Sequence, residues 1–328
     1  MAMEVVLKEI VIHVSHLTKF YGRILALDHI DFDVKEGEIF GFLGPNGAGK
    51  TTTIRLLTGL SRPTDGNASI LGFNINTEIT EVKKRVGVVP EFSNLYDELS
   101  ALDNLLFMAQ LYGVPRIQRR KKAEDLLNTF GLFERKDSPL RTFSHGMKRA
   151  LTIAAALIHD PKIVFLDEPT VGLDVVAARS LRNLIGNLRQ QGVTLFITTH
   201  YLEEADILCD RIAILVKGRI VKIDTPKALK AATEEESVIE FSFAELSSTL
   251  IHDISDKLPE AKLVVMDYNK VRIHGGMPGK IYDNVCQLIR EKGIEIQSVN
   301  SIRPTLEDAF IKITGLSPTV MSIEKGGK

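Results

Sequence analysis

Cysteine is scarce in this sequence: among 328 residues only Cys209 and Cys286 occur, far apart along the chain. Two isolated cysteines cannot build the disulfide framework of a small secreted protein, and they lack the spacing of a zinc site. We therefore expect a protein of a reducing compartment, which favours the cytoplasm.

Long hydrophobic runs are also missing. The longest, from Ile153 to Ile158, ends at His159 and Asp160, whereas a membrane-spanning helix needs about 20 apolar residues. Charged residues interrupt the first ten positions, which argues against a secretory signal. We expect that the chain does not cross a membrane by itself.

Neither sign of charge predominates, because 41 lysines and arginines face 42 aspartates and glutamates and leave a net charge of -1. A chain with this balance has no overall field that would draw it to nucleic acid or anionic lipid. The basic run at residues 119–122 is followed by Glu124 and Asp125, and we interpret it as a solvated helix face. Direct binding to nucleic acid is not expected.

The composition is that of a globular protein with a substantial core, since hydrophobic residues make up 44% of the chain and charged residues 25%. At roughly 150 residues per domain, the length predicts about two domains. The patterns place the first domain at residues 1–227, with a helical subdomain at about 96–150, and the second at residues 228–328.

The first domain has the signals of an α/β fold. Alternating apolar and polar positions over residues 10–42 predict antiparallel strands. The apolar run 39–43 predicts a buried strand that leads through a glycine-rich turn into a helix from about Gly49 to Leu60. Buried-strand patterns return at 163–166 and 195–197, separated by helical sequence, which indicates a parallel sheet.

The second domain has a different pattern. Residues 236–315 predict the element order β-α-β-β-α-β, which is the ferredoxin-like α+β arrangement. This segment has no set of acidic, histidine or cysteine residues arranged for catalysis, so we expect a role in dimerisation or regulation. The tail from Ser317 to Lys328 is predicted to be mobile.

The strongest local signal is a phosphate-binding loop. Residues 44–51 satisfy the pattern G-x-x-x-x-G-K-[ST] between a predicted strand and a predicted helix, which is the context that this pattern requires. Glycines let backbone N–H groups approach phosphate oxygens, Lys50 adds a positive charge, and Thr51 offers its hydroxyl to Mg²⁺. The residues expected to bind the nucleotide here are Gly44, Pro45, Asn46, Gly47, Ala48, Gly49, Lys50, Thr51 and Thr52.

A P-loop needs a second acid to hold the metal, and the buried strand 163–166 leads directly into Asp167. Glu168 follows at once. Because the backbone turns at the end of a strand, Asp167 can face Mg²⁺ while Glu168 addresses water. We therefore expect Asp167 to be a metal ligand and Glu168 to be the catalytic base.

Together these motifs resemble the nucleotide-binding subunit of ATP-binding cassette (ABC) transporters over nearly the whole of residues 8–226. Residues 143–147, Phe-Ser-His-Gly-Met, are similar to the family's L-S-G-G-Q signature at Ser144 and Gly146 and depart from it at the other positions. Ser144 is also a good N-cap for the following helix, and a plain capping role is the alternative interpretation. In the family this element contacts ATP on the opposite protomer, so the resemblance implies two ATP molecules sandwiched in a head-to-tail dimer.

Three further residues match the family. Asp174 ends a segment, residues 171–174, that resembles the D-loop, and His200 follows a predicted strand as the family's switch histidine does. The resemblance implies that His200 contacts the γ-phosphate and takes part in catalysis with Lys50 and Glu168. It also implies that Tyr21 stacks on adenine, although an isolated tyrosine more often has a packing role.

Glu91 occupies the place of the Q-loop, where the family usually has glutamine. A glutamate cannot donate an amide hydrogen, but its carboxylate can accept a hydrogen bond from metal-bound water. We therefore include Glu91 with Thr51 and Asp167 among the residues that contact the metal.

The resemblance implies an α/β P-loop NTPase cassette with a RecA-like core, an antiparallel β subdomain and a helical subdomain, followed by the C-terminal α+β ferredoxin-like domain. It implies an ATPase that uses ATP and Mg²⁺ and energises separate integral-membrane permease subunits. The cassette would act as a homodimer, or as a heterodimer with a second cassette. The protein would be cytoplasmic and peripheral on the inner face of the cell membrane.

Finer features resemble the ATPase components of ABC-2-type exporters, such as multidrug or sodium efflux systems. These features are the single cassette, the Ser-His-Gly-Met variant, Glu91 and the C-terminal extension. They predict the export of a drug, ion or lipid-like substrate.

Two other functions are less consistent with the sequence. A non-transport ABC ATPase that acts on ribosomes or DNA typically has two cassettes or long coiled-coil arms, and the sequence shows neither, nor a basic stripe. A small-molecule kinase with a P-loop would leave Ser144, Asp174 and His200 without a role.

Overall fold

The computed structural model describes residues 9–234, 238–302, 305–317 and 321. The chain divides into two compact units, with the boundary between Thr225 and Pro226. Apart from Ser317 and Met321, the tail that was predicted to be mobile lies outside the described residues. Within the described residues, every helix falls short of the length and apolar character that a membrane span requires.

The first unit alternates strands and helices along the chain. Its strands are β1 (Ile10–Tyr21), β2 (Ile24–Lys35), β3 (Ile39–Leu43), β4 (Asp65–Ile70), β5 (Phe73–Asn74), β6 (Val86–Val89), β7 (Ile163–Asp167), β8 (Thr194–Thr199), β9 (Arg211–Val216) and β10 (Arg219–Asp224). Its α-helices are α1 (Lys50–Leu57), α2 (Ile79–Lys83), α3 (Ala101–Leu111), α4 (Arg116–Thr129), α5 (His145–Leu157), α6 (Val175–Gln190) and α7 (Leu202–Leu208).

A six-stranded sheet in the order β10-β9-β3-β8-β7-β6 forms the centre of this unit. Strands β9, β3, β8, β7 and β6 are parallel, and β10 pairs antiparallel with β9. Every residue of β3, β7 and β8 is buried, as expected for strands that are covered on both faces. Since parallel strands end at the same edge of a sheet, the loops after β3, β7 and β8 meet there.

A second sheet, antiparallel and in the order β2-β1-β4-β5, packs against the first through aromatic residues. Phe32 of β2 lies 5.5 Å from Phe40 and 5.1 Å from Phe42 of β3, measured between ring centroids. It also lies 5.9 Å from Phe196 of β8. Contacts of this kind bury large apolar areas and fix the strand that leads into the P-loop.

The helical part of the unit consists of α3, α4 and α5, which contact one another. Two 3₁₀ turns, Phe133–Arg135 and Leu140–Thr142, connect α4 to α5. Ser100 caps α3 by accepting a hydrogen bond from the backbone N–H of Asp103, which satisfies one of the free N–H groups of a helix start. The helical subdomain was predicted at about residues 96–150, and α5 extends past this range to Leu157.

The second unit contains one sheet and four helices among its described residues. Its elements are α8 (Pro226–Glu234), β11 (Val238–Phe243), α9 (Ser248–Lys257), β12 (Lys262–Asp267), β13 (Lys270–His274), α10 (Pro278–Lys292), β14 (Ile296–Ile302) and α11 (Leu306–Thr314). The sheet order is β12-β13-β11-β14, and all pairs are antiparallel. From β11 to β14 the order is β-α-β-β-α-β. The predicted fold class, an α/β cassette followed by a ferredoxin-like unit, is confirmed.

Candidate functional site

The P-loop connects β3 to α1, and its glycines are required by the close packing of the backbone. A Cβ added to Gly44 would lie 2.2 Å from the carbonyl oxygen of Leu215. Gly49, the N-cap of α1, has φ of 114°, a conformation that side chains other than glycine rarely adopt. Glycine has no side chain that could cap the helix, so the first N–H groups of α1 remain available to an anion.

Lys50 begins α1 and is buried, with 6% of its surface exposed. Its Nζ donates to the carbonyl oxygens of Gly44 at 2.6 Å and Pro45 at 3.3 Å. It also forms an ion pair with Oε1 of Glu168 at 3.0 Å. The ammonium group is therefore held beside the P-loop backbone by a buried carboxylate.

Asp167 ends β7 and is surrounded by hydroxyl groups. Its Oδ1 accepts hydrogen bonds from Thr51 Oγ1 at 3.2 Å and from Thr198 Oγ1 at 2.5 Å. Thr51 is on α1 and Thr198 is on β8, so three neighbouring elements meet at this carboxylate. A hydroxyl and a carboxylate are hard oxygen donors, which suits Mg²⁺.

Glu168 has a strained backbone, since its φ is 47° and it is not glycine. A residue in this region costs about 1–3 kcal/mol and persists only where its surroundings hold it. The backbone N–H of Glu168 donates to the carbonyl oxygen of Thr198 at 3.1 Å and to Thr198 Oγ1 at 3.0 Å. The two carboxylates have different partners: Thr51 and Thr198 donate to that of Asp167, whereas Lys50 pairs with that of Glu168.

His200 is the second partner of the Glu168 carboxylate. Nδ1 of His200 lies 2.9 Å from Oε2 of Glu168, while Lys50 occupies Oε1. Burial raises the pKa of Glu168, but the hydrogen bond from His200 and the nearby charges of Lys50 and His200 outweigh it, and the pKa is lowered overall. Glu168 is therefore ionised at neutral pH and holds two basic groups.

An open cavity of about 980 Å³ brings most of the predicted residues together. The cavity is larger than many ligand pockets and can accommodate a nucleotide. The predicted residues on its wall are Tyr21, Asn46, Gly47, Gly49, Lys50, Thr51, Thr52, Glu91, Glu168 and His200. Gly44, Pro45, Ala48 and Asp167 lie outside the lining, although Asp167 contacts it through Thr51.

Ser144, Gly146 and Asp174 do not line this cavity. Ser144 caps α5 by accepting from the backbone N–H of Met147, and Asp174 caps α6 by accepting from that of Ala177. A Cβ added to Gly146 would lie 2.9 Å from the Cβ of Ala177, so the two helix starts are packed together. Both capping residues are exposed and can be reached by a second molecule.

Glu91 follows β6 and reaches the cavity wall. Although much of the residue is exposed, partial burial raises the pKa of its carboxyl, and the negative charges of Asp167 and Glu168 raise it further. The carboxylates of Glu91 and Glu168 thus share the cavity wall with Lys50, and Asp167 acts on Glu91 from outside the lining.

Three side chains at this site were not predicted. Thr198 holds Asp167 and Glu168 as described above, and Thr199 Oγ1 donates to the buried Oε2 of Glu204 at 2.6 Å. Arg149 of α5 contacts the backbone behind the cavity. The Thr-Thr pair before His200 is a signal that could have been used, whereas nothing in the sequence distinguishes Arg149 from an exposed arginine of an amphipathic helix.

The family model described as ABC transporter matches residues 27–171. The linearmycin resistance ATP-binding protein LnrL of Bacillus subtilis (strain 168) is 33% identical over 92% of this chain and 97% of its own length. The bacitracin transport ATP-binding protein BcrA of Bacillus licheniformis is 34% identical over 93% of this chain and 97% of its own.

The fold was also compared with solved structures. A dimeric ATP-binding cassette in a post-hydrolysis state, bound to ADP and Pi, superimposes with a TM-score of 0.60 and 28% sequence identity. The match covers 65% of this chain and 98% of the cassette. Its extent agrees with the size of the first unit.

Proposed function

This chain belongs to the ABC transporter family of ATP-binding proteins, and on that premise we propose that it powers export of a drug, ion or lipid-like substrate through a separate membrane permease. Family membership assigns it ATP binding and ATP hydrolysis coupled to transport. Two relatives that align over 97% of their own lengths are named for linearmycin resistance and bacitracin transport. Their names support antibiotic-like compounds as the substrate class, and they favour transport over a function on ribosomes or DNA.

The cavity accounts for nucleotide binding at both ends of ATP. The N–H groups at the start of α1 and the ammonium of Lys50 bind the β- and γ-phosphates. Tyr21 also lines the cavity, 42% exposed, and offers an aromatic face to adenine.

Thr51 and Asp167 would hold Mg²⁺, because their oxygens already lie within hydrogen-bond distance of each other. When bound, the metal neutralises charge on the β- and γ-phosphate oxygens. Glu91 is the third proposed residue at this position and would accept from a water of the metal.

Hydrolysis begins with the release of Glu168 from Lys50. When Lys50 turns to the phosphates, Oε1 of Glu168 loses its ion pair and can accept a proton from the attacking water, while Oε2 stays with His200. The water oxygen forms a bond to the γ-phosphorus as the bond to the bridging oxygen of ADP breaks. His200 stabilises the charge that develops on the γ-phosphoryl oxygens.

The second half of the site comes from a partner cassette. Ser144 and Asp174 are exposed, Gly146 is partly buried, and none of the three lines the cavity of its own chain. We propose that they close over ATP bound to the opposite protomer of a head-to-tail homodimer, with a heterodimer as the alternative. The dimer would bind its permease at the inner face of the membrane.

The single observation that carries this proposal is the position of Glu168, buried at the cavity wall with Lys50 at one carboxylate oxygen and His200 at the other. We expect Glu168→Gln to bind MgATP, to lower turnover by about 100-fold or more, and to accumulate as an ATP-bound dimer. Turnover is measured by phosphate release, and the dimer by size-exclusion chromatography with light scattering.

Two variants complete this test. Lys50→Ala should lose productive ATP binding and form no dimer, whereas Glu203→Gln should behave as wild type, because Glu203 is exposed and lies outside the cavity lining. Rapid hydrolysis by Glu168→Gln would remove Glu168 from the role of base.

A further inference from the structure

Arg149 is a buried arginine whose described hydrogen bonds all go to backbone carbonyl oxygens. It lies on α5, five residues after the cap Ser144, and only 8% of it is exposed. A guanidinium group carries five N–H donors in a rigid plane. An ion in such a position normally has a carboxylate partner, because removing a charge from water is costly.

The three nitrogens of Arg149 reach two separate segments. Nε donates to the carbonyl oxygen of Pro169 at 2.9 Å, and Nη2 donates to those of Asp167 at 2.7 Å and Glu168 at 3.2 Å. Nη1 donates to the carbonyl oxygen of Glu91 at 3.2 Å and to that of Pro90.

These contacts join three parts of the site that are distant in sequence. One is the end of β7, where Glu168 has its strained backbone conformation. Another is the segment after β6 that carries Glu91. The third is α5 itself, which begins at Ser144. A shift of α5 relative to the sheet would therefore pull on both carboxylate-bearing segments.

Arg149 also places a positive charge near the carboxylates of the site. Burial lowers the pKa of Arg149 to about 10, against the opposing effect of Asp167, Glu91, Glu204 and Glu168. The group remains protonated at neutral pH, so a permanent positive charge lies behind the carboxylates of the site. Its described hydrogen bonds go to backbone carbonyl oxygens and not to these carboxylates.

We propose that Arg149 is a positioning residue for ATP hydrolysis, holding the backbone of residues 167–169 and of residues 90–91 at a fixed separation so that Glu168 faces the γ-phosphate. This inference rests on the proposed function, because it names the residue that orients the base of that reaction. Arg149 does not touch the nucleotide and acts through the segments that do.

For this positioning role, the placement of the N–H donors of Arg149 matters more than its positive charge alone. A lysine keeps the charge but offers three donors from a single nitrogen, so it cannot span both segments. A methionine has a similar length without charge or donors. Comparing the two substitutions separates the charge of Arg149 from its planar geometry.

We expect Arg149→Lys to lower kcat for MgATP by about 10- to 100-fold, because misplacing a catalytic group by about 1 Å has a cost of this size. Its KM and its affinity for ATP should stay within about threefold of wild type, since the P-loop is untouched. Arg149→Met should lower kcat at least as far. Phosphate release gives kcat and KM, and equilibrium binding of a fluorescent ATP analogue gives the affinity.

Arg119 provides matched controls in the same helical part. It also donates to a backbone carbonyl oxygen, that of Val114 at 2.7 Å, but its contacts stay away from the cavity. Arg119→Lys and Arg119→Met should therefore keep wild-type kcat. Thermal unfolding of all four variants shows whether any loss of activity follows from a loss of folding.

The proposal is overturned if Arg149→Lys has wild-type kcat. It is also overturned if Arg149→Lys loses ATP affinity and folding together, since the residue would then be merely structural. Failure of the proposed role of Glu168 gives a different result, because Glu168→Gln would then hydrolyse MgATP at close to the wild-type rate.

Discussion

At the scale of single residues, the pairing of Lys50 with Glu168 would link nucleotide binding to catalysis in the proposed reaction. Both side chains are buried and lie 3.0 Å apart, and each has a second task in the proposed reaction. A phosphate that attracts Lys50 removes a cation from the base, so the base becomes free only when substrate is in place. Because His200 keeps its contact with Oε2, the carboxylate does not lose its orientation in this exchange.

Glu91 allows a test of how negative charge in the cavity affects the affinity for ATP. Its carboxylate lies near those of Asp167 and Glu168 and adds to the repulsion of an anionic nucleotide. We expect Glu91→Gln to bind MgATP about three- to tenfold more tightly, for about 1 kcal/mol of repulsion removed, and to change basal turnover without abolishing binding. Titration calorimetry measures the affinity and phosphate release measures the turnover.

The matched control is Glu98→Gln, which removes the same charge from an exposed residue outside the cavity lining. It should have wild-type affinity. If Glu91→Gln and Glu98→Gln bind MgATP alike and turn over at the wild-type rate, Glu91 has no part in the site.

At the scale of elements, two helix starts carry the residues proposed to face the partner cassette. Ser144 and Asp174 each cap a helix with an oxygen, and a capping role alone would explain both residue types. Capping and phosphate binding are compatible, since a helix start that is capped on one N–H group still presents others.

Replacing Ser144 by aspartate separates these two roles. Aspartate caps a helix about as well as serine, so Ser144→Asp should keep the thermal stability of the wild type. Its negative charge would meet the γ-phosphate of the opposite site, so we expect ATP-dependent dimer formation and turnover to fall by about tenfold or more. Calorimetry measures the thermal stability, light scattering measures dimer formation, and phosphate release measures turnover.

Ser247→Asp is the control for this substitution, because Ser247 caps α9 in the second unit in the same way. It should leave thermal stability, ATP-dependent dimer formation and turnover as in the wild type. A Ser144→Asp protein with full activity would reduce Ser144 to a plain helix cap.

Elements with continuous apolar runs could be predicted from the sequence, and those formed by pairing with a neighbour could not. β3, β7 and β8 have the buried runs typical of parallel strands. β4 has the sequence Asp-Gly-Asn-Ala-Ser-Ile, with little apolar character, and it is a strand because it pairs with β1. Helix α1 ends at Leu57 rather than Leu60, since Thr58 leaves the helical region and Gly59 has φ of 68°.

At the scale of the whole molecule, the cassette could be predicted because each of its motifs is a short contiguous run, namely the P-loop, the Asp167-Glu168 pair and the segment that ends in His200. The grouping of ten predicted residues around one cavity follows from strands that end at the same edge of the sheet. What could not be predicted are contacts between a side chain and distant backbone, such as those of Arg149, because they leave no residue pattern.

The second unit has a core of its own, in which α9 and α10 pack their apolar faces on the sheet. Its Arg272 lies between Glu240 at 3.0 Å, Glu307 at 3.4 Å and Asp308 at 3.3 Å. A partly buried cation with three carboxylates is costly unless all are paired, and the network ties β13 to β11 and α11. The two relatives named above also align with more than 90% of this chain, so their similarity extends beyond the cassette.

The central claim is that ATP turnover by this chain drives a membrane permease. The most direct measurement is isolation of tagged Glu168→Gln protein with MgATP from native membranes in a mild detergent, followed by mass spectrometry of its partners, with Lys50→Ala protein as the control. Our account predicts that Glu168→Gln retains a protein with several membrane spans in a stable complex. Replacing the Glu168→Gln chain of this complex by the wild-type chain should restore its ATPase activity. Recovery of ribosomes or DNA-bound proteins without any such membrane protein would contradict it.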